Sequence, residues 1–265
     1  MTTKVNVASK NLAEIKDKCV AIAFFEDNLK LNKDITDFDK TISNAINDSI
    51  KNKDFKAEGN EVKAFYVNTK GVKYVALLGL GKEKEFTLNK LMDSVSILSK
   101  KIRSMDIKSF SIYFDSFKNK NFDFDTYLEK ITQAVALSLY QFTKYKTKDL
   151  EKIKKIDKVT IIADKNNHDK ASKIVSESLV YAEAVIKTRD LVNTPPNIAI
   201  PEYVSAYAKE TARKNGLKFT VLDEKQLEKL GMECYMAVAR ASVNKPRMFI
   251  LEYKGAGNEK PIVLI

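Results

Sequence analysis

The chain has 265 residues, 44% hydrophobic and 31% charged, a length that suits one large domain or two smaller ones and can bury a substantial core. Its 14 Phe and 11 Tyr exclude a wholly disordered chain. The formal charge of +11 is carried by lysine, with only five Arg, at 103, 189, 213, 240 and 247. Phosphate and base recognition leans on clustered Arg and aromatic stacking, so nucleic acid is not an expected partner.

The first ten residues, MTTKVNVASK, lack the apolar core of a secretory signal. Within them KVNVAS (4–9) reads as a weak strand. CVAIAFF (19–25) is the longest uninterrupted apolar run, and seven residues are too few to span a bilayer. KAFYVN (63–68) and YVALLGL (74–80) flank a turn at Asn68–Gly71, which predicts a hairpin. SFSIYF (109–114) and KVTIIA (158–163) complete the strands of this region. Short continuous apolar runs of this kind suit strands covered on both faces by helices.

Three helices alternate with these strands. Leu88, Leu91, Met92, Val95, Ile97, Leu98 and Ile102 recur at near-helical spacing. Thr126 and Glu129 look like a capping box opening a helix whose apolar set is Tyr127, Leu128, Ile131, Ala134, Val135, Leu139 and Phe142. A third helix, from about Lys170 to Lys187, carries Ala171, Ile174, Val175, Leu179, Ala182, Val185 and Ile186. The architecture predicted is an α/β three-layer sandwich.

All five prolines (195, 196, 201, 246 and 261) lie in the last 71 residues, so two differently built regions meet near residue 190. Asn193-Thr-Pro-Pro-Asn197 cannot continue a helix. Pro201 suits the first turn of a new one, Glu202 complements its dipole, and Gly216 suits its C′ position. LKFTVL (217–222) and RMFILEYKG (247–255) read as strands around a short helix in EKQLEKLGM. Pro261-Ile-Val-Leu-Ile265 reads as the start of a further strand. A buried parallel strand is normally followed by a crossover, so this ending is read as a cut. Strands left without partners predict poor solubility or self-association.

The motifs are weak. Gly79-Leu80-Gly81-Lys82 stands between a strand and a helix, where a phosphate loop would sit. Lys84 and Glu83 break the dinucleotide and Walker fingerprints, so a tight turn is the reading taken. His168 is the single histidine, which excludes His-based zinc sites and leaves a surface residue at a helix start. Two cysteines, 19 and 234, cannot build a disulfide framework, which fits a reducing cytosol. Neither has a basic neighbour that would activate it, and both are read as inert core thiols. Asp123 and Asp125 alternate with Phe122 and Phe124 in a strand-like or capping segment, and Glu26 and Asp27 end a strand. The densest basic stretch, 144–158, holds seven Lys and three acids and is read as a solvated face. No complete active site emerges from the residues themselves: catalytic, cofactor-binding and metal positions are all assigned as none.

The segment TRDLVNTPPNIAIPEYVSAYAKE (188–210) resembles the one that joins the two domains of leucine aminopeptidases, the cytosol aminopeptidase family. The resemblance continues through Leu230-Gly231-Met232, Ala237-Val238, Ser242, Pro246 and Tyr253-Lys254-Gly255. Upstream, YVALLGLGK and ALSLYQFTKYK resemble that family's amino-terminal domain more loosely. Ala241 stands where the family usually has Gly.

The resemblance implies an amino-terminal α/β domain similar to macro domains (1–165), a connecting helix (166–190) and an incomplete start of the peptidase domain (191–265). It implies a cytoplasmic enzyme that removes N-terminal residues from peptides with two divalent metals, Mn or Zn, in a homo-oligomer, a hexamer in the family. The lysine, aspartate and glutamate ligands of that family lie downstream of the strand beginning at Pro261. The chain is therefore expected to hold no metal pair and to be inactive by itself. The alternative is a non-catalytic, macro-domain-like binding or regulatory module for a nucleotide or ADP-ribose.

Overall fold

The computed structural model describes residues 3–69, 71–257 and 259–265. It divides into two compact units, residues 1–187 and 188–265.

The first unit is organised by one strand. β2 (Cys19–Phe24) has six consecutive buried residues. It pairs in parallel with β4 (Tyr74–Gly79) on one side and β5 (Ser109–Tyr113) on the other. β6 (Lys158–Ile162) follows β5, and β1 (Lys4–Ala8) follows β6, all parallel. β3 (Val62–Tyr66) closes the opposite edge antiparallel to β4, with Val62 against Leu78 and Tyr66 against Tyr74. The order is β1-β6-β5-β2-β4-β3. The expected hairpin is β3–β4. Its turn at Asn68–Gly71 contains Lys70, which lies outside the described residues.

Alternation along β2 supplies two cores. Cys19, Ala21 and Ala23 face one, Val20, Ile22 and Phe24 the other. The first core is covered by α3 (Leu88–Ser104), α4 (Phe124–Ser138) and α5 (His168–Asn193). The second is covered by α1 (Lys33–Thr41) and α2 (Ala45–Lys51). The sandwich is thus three-layered, as its alternating pattern predicts.

Local chemistry explains each helix. In α3, Thr87 caps the start by accepting from Lys90 N–H, and Leu91, Val95, Leu98 and Ile102 form one fully buried stripe. Ile97, counted with that stripe from its hydrophobicity, turns outward and is 39% exposed. The capping box at Thr126 and Glu129 is not the cap of α4. Asp123 is: its carboxylate accepts from the Thr126 N–H at 2.9 Å and from the Thr126 hydroxyl at 2.8 Å. An ionised carboxylate satisfies the orphan donor better than a threonine one turn later, and suits the helix dipole. The connecting helix also runs further than expected, to Asn193, two residues before the first proline.

α1 and α2 were not anticipated, although Ile35, Phe38, Ile42 and Ile46 recur at helical spacing and are buried. Ser43 and Asn44, both at positive φ, break the pattern into two short pieces. The buried carboxylate of Asp39 bridges the break, accepting from the N–H groups of Ile46 at 2.8 Å and Asn47 at 3.0 Å.

In the second unit α6 (Pro201–Asn215) has Pro at its first turn and ends on Gly216, left-handed at φ 66°. β7 (Lys218–Leu222) pairs antiparallel with β8 (Met248–Glu252). Between them lie α7 (Glu224–Lys229) and α8 (Glu233–Ala239). The second helix was missed because seven residues show less than two full periods. Phe249, Ile250 and Leu251 are each about two-fifths exposed on a two-stranded ribbon. Residues 261–265 are not a strand, and Ile262, Leu264 and Ile265 are almost fully exposed. A β-branched run becomes a strand only when another strand satisfies its backbone, and no described strand lies beside this one.

Two constraints inside the first unit are testable. At Gly79 an added Cβ would lie 2.1 Å from the Glu58 carbonyl oxygen and 2.6 Å from the Ala57 carbonyl carbon. Gly79→Ala is therefore expected to lower stability by about 3 kcal/mol in urea unfolding, since backbone rather than a flexible side chain must yield. The second is Asp17, 6% exposed, whose carboxylate takes the Lys158 ammonium at 2.7 Å and the Ser111 hydroxyl at 2.8 Å. Burial alone would raise this carboxyl's pKa, but hydrogen bonds from Lys158, Thr160 and Ser111 outweigh it and hold it below the ordinary 3.8. A depressed native pKa gives stability that is present above the unfolded value and is lost as pH falls through the native one. Asp17→Asn should cost about 2 kcal/mol at pH 7, the exposed half of Lys158 limiting the loss, and should flatten the acid limb of the stability curve below about pH 4.

Candidate functional site

In an open parallel sheet, ligands sit outside the carboxyl ends of the strands where the strand order reverses. Here that place is between β2 and β5, and the chain's own groups fill it. The pairing of β2 with β5 ends at Ala21 and Ile112. Beyond it, the Ser116 hydroxyl accepts the Ala23 N–H at 2.9 Å and donates to the Tyr113 carbonyl at 2.7 Å. Phe114 and Phe117, on the 3-10 turn after β5, are fully buried. Next to them, the Tyr113 hydroxyl donates to Asp34 at 3.0 Å and accepts from the Asn32 amide at 3.3 Å. Burial, with the nearby Asp34 carboxylate, pushes the Tyr113 phenol well above its ordinary pKa despite the Asn32 hydrogen bond, so it stays protonated.

The Gly79–Gly81 turn is likewise occupied. The N–H of Gly79 donates to Glu61 O at 2.8 Å, that of Leu80 to Phe24 O at 2.9 Å and that of Gly81 to Ala57 O at 3.0 Å. A phosphate loop must aim free amides at its ligand. These three amides tie β4 to β2 and to the 57–61 segment. Gly81, at φ 73°, supplies the left-handed turn.

The remaining sequence candidates are separate. His168 opens α5 at the surface, its Nδ1 3.1 Å from Asp169 Oδ1. Cys19 is fully buried, and burial pushes its thiol up to about 12, which keeps it inert. Cys234 is not a core thiol: it is exposed on α8. Asp123 is a helix cap, and Asp125 pairs with Lys170 at 2.5 Å. Glu26 gives its N–H to Gly81 O, and Asp27 accepts from the Glu83 N–H at 3.1 Å, so both serve the turn. In the basic stretch, Lys152 pairs with Asp149 at the surface, whereas Lys158 reaches the buried Asp17. Among the described residues no three His, Cys, Asp or Glu side chains stand close enough to hold a metal ion. No helix of the described residues is long and apolar enough to cross a membrane.

What sequence reasoning missed is a cavity of about 210 Å³ on the face of the sheet opposite α3 to α5, beside β1 and β6. Asp17, Ser111, Lys158 and Thr160 give it a polar side, and Ala8, Ile15 and Ile162 an apolar one. Asp17 and Ser111 are 94 positions apart in the chain, so no local spacing could have announced them. The sheet alone brings them together.

Comparison with known proteins places this architecture. Residues 21–149 match the family model of the cytosol aminopeptidase family, N-terminal domain, and residues 186–265 that of the same family's catalytic domain. A probable cytosol aminopeptidase of Sulfurihydrogenibium sp. is 32% identical over 266 residues, covering 99% of this chain and 52% of that protein. Another, from Persephonella marina, is 30% identical over 264 residues, with 98% and 52% covered. The chain spans about half the length of the curated relatives it matches. A mutant of the tomato leucine aminopeptidase shares the fold at a TM-score of 0.79 and 17% identity, over 97% of this chain and 52% of that one. The bottromycin maturation enzyme BotP does so at 0.71 and 20%, over 90% and 46%. Both halves of one family's architecture are thus matched in chain order, and the chain belongs to the cytosol aminopeptidase family.

Proposed function

We propose that these residues form the amino-terminal portion of a leucyl aminopeptidase-like dinuclear metallopeptidase that removes N-terminal residues from peptides in the cytoplasm. The observation that carries this reading is the order of the two family matches, N-terminal domain then catalytic domain, along one chain. Residues 1–165 would be the amino-terminal domain, 166–190 the connecting helix, and 191–265 the start of the catalytic domain. The whole protein would be a homo-oligomer, a hexamer by family resemblance.

Two divalent ions, Mn or Zn, would polarise the scissile carbonyl and generate hydroxide in such an enzyme. The described residues do not fit that pair: their carboxylates are dispersed into caps, turns and single ion pairs. The groups that hold the metals are therefore proposed to lie beyond Ile265. What this chain supplies is scaffold: a rigid sandwich, a long helix and the first α/β elements on which a catalytic sheet would be continued. The 265-residue chain, supplied with Mn or Zn, should retain no stoichiometric metal after desalting and should not hydrolyse a leucyl amide. Hydrolysis that a chelator abolishes would overturn this placement of the ligands.

The competing reading, a macro-domain-like module for ADP-ribose, requires an open crevice and free amides at the carboxyl ends of the strands. The filled β2–β5 switch point and the occupied Gly79–Gly81 amides weigh against it. Calorimetric titration with ADP-ribose should give no heat of binding at about millimolar ligand; a saturable isotherm would restore that reading.

A further inference from the structure

Independently of the peptidase reading, we infer that the cavity on the open face of the first unit's sheet is a binding site for a small aliphatic carboxylate. Its charged centre is already assembled. The Lys158 ammonium is fixed at 2.7 Å from Asp17, which is held in turn by the Ser111 hydroxyl at 2.8 Å. An ammonium has three donors, and Asp17 takes one. The Lys158 side chain is 45% exposed, so its other donors face accessible space.

Charge decides the sign of the ligand. Lys10, Lys16 and Lys158 line the cavity against the single carboxylate of Asp17, and Lys10 and Lys16 are exposed. Three cations with one anion favour an anionic guest. A cationic guest would have to displace donors that already occupy both oxygens of Asp17.

Shape decides its class. Ile15 and Ile162, 2% and 4% exposed, form with Ala8 the apolar side of the cavity. A volume of about 210 Å³ admits a carboxylate with a short branched chain. Inorganic phosphate would meet the same ammonium groups but leave the apolar wall against water, forgoing about 0.8 kcal/mol for each methylene that could be buried there. The ligand class is therefore the short branched carboxylates, to which the carboxylate end of a free aliphatic amino acid also belongs.

Isothermal titration of the full 265-residue chain with 4-methylpentanoate, at two temperatures so that a vanishing enthalpy is not mistaken for absence of binding, tests the assignment. Binding at a Kd of about 1 mM is expected, with 4-methylpentanamide and inorganic phosphate at least about tenfold weaker at equal ionic strength. Lys158→Met should abolish binding, but it strands a buried carboxylate and can unfold the unit. The exposed double variant Lys10→Gln/Lys16→Gln avoids that problem: it should keep the parent melting temperature and weaken 4-methylpentanoate at least about threefold. No saturable heat at either temperature, equal affinity for the amide, a preference for phosphate, or unchanged affinity in the double variant would each overturn the inference.

Discussion

The first unit depends on β2 lying in the middle of its sheet with no solvent on either face. A strand in that position has to be apolar on both sides, must have partners along both edges, and leaves no room for a loop above it. CVAIAF meets the first condition, and β4 and β5 meet the second. Because its alternate residues enter two different cores, α3 to α5 and α1 with α2 are obliged to occupy opposite faces. The order of the remaining strands follows from who can reach those two edges.

That same burial accounts for the lack of reactive groups at the usual ligand position. Where β2 and β5 diverge, a backbone N–H would be left unsatisfied, and Ser116 takes it. Where β4 ends, three consecutive amides close onto neighbouring carbonyls. Cys19 is sealed in the central strand, where burial raises its pKa. Each polar feature that resembles a site in one dimension serves as a fastening in three. The face beside β1 and β6 differs because the helices that cover β2 and β4 do not extend over it, and Asp17 with Lys158 is left lining a cavity.

The second unit follows a different economy. Its buried residues are few and small, Ala208, Ala212, Leu227 and Met236 among them, and its ribbon of two strands leaves Phe249, Ile250 and Leu251 partly in water. A two-stranded ribbon is marginal by itself, and three or more strands or a packed helix layer are what give a sheet independent stability. Membership of the cytosol aminopeptidase family is consistent with such a ribbon being the first piece of a larger layer.

Periodicity in the chain determined the strands β1 to β6, the helices α3 to α5, the β3–β4 hairpin, the three layers and the punctuation of α6 by Pro201 and Gly216, because these depend on residues within one or two turns of each other. It understated α1 and α2, where two residues at positive φ interrupt the stripe, and α8, which is too short to show its period. It misplaced the cap of α4, since Thr126 and Asp123 both fit a cap in one dimension and only the backbone direction chooses between them. It put Cys234 in a core and Pro261–Ile265 in a strand, because hydrophobic character states a preference for burial without supplying the partner. The Asp17, Ser111 and Lys158 cluster was decided by tertiary structure alone: three parallel strands had to be brought into register before a carboxylate at 17, a hydroxyl at 111 and an ammonium at 158 could share one cavity.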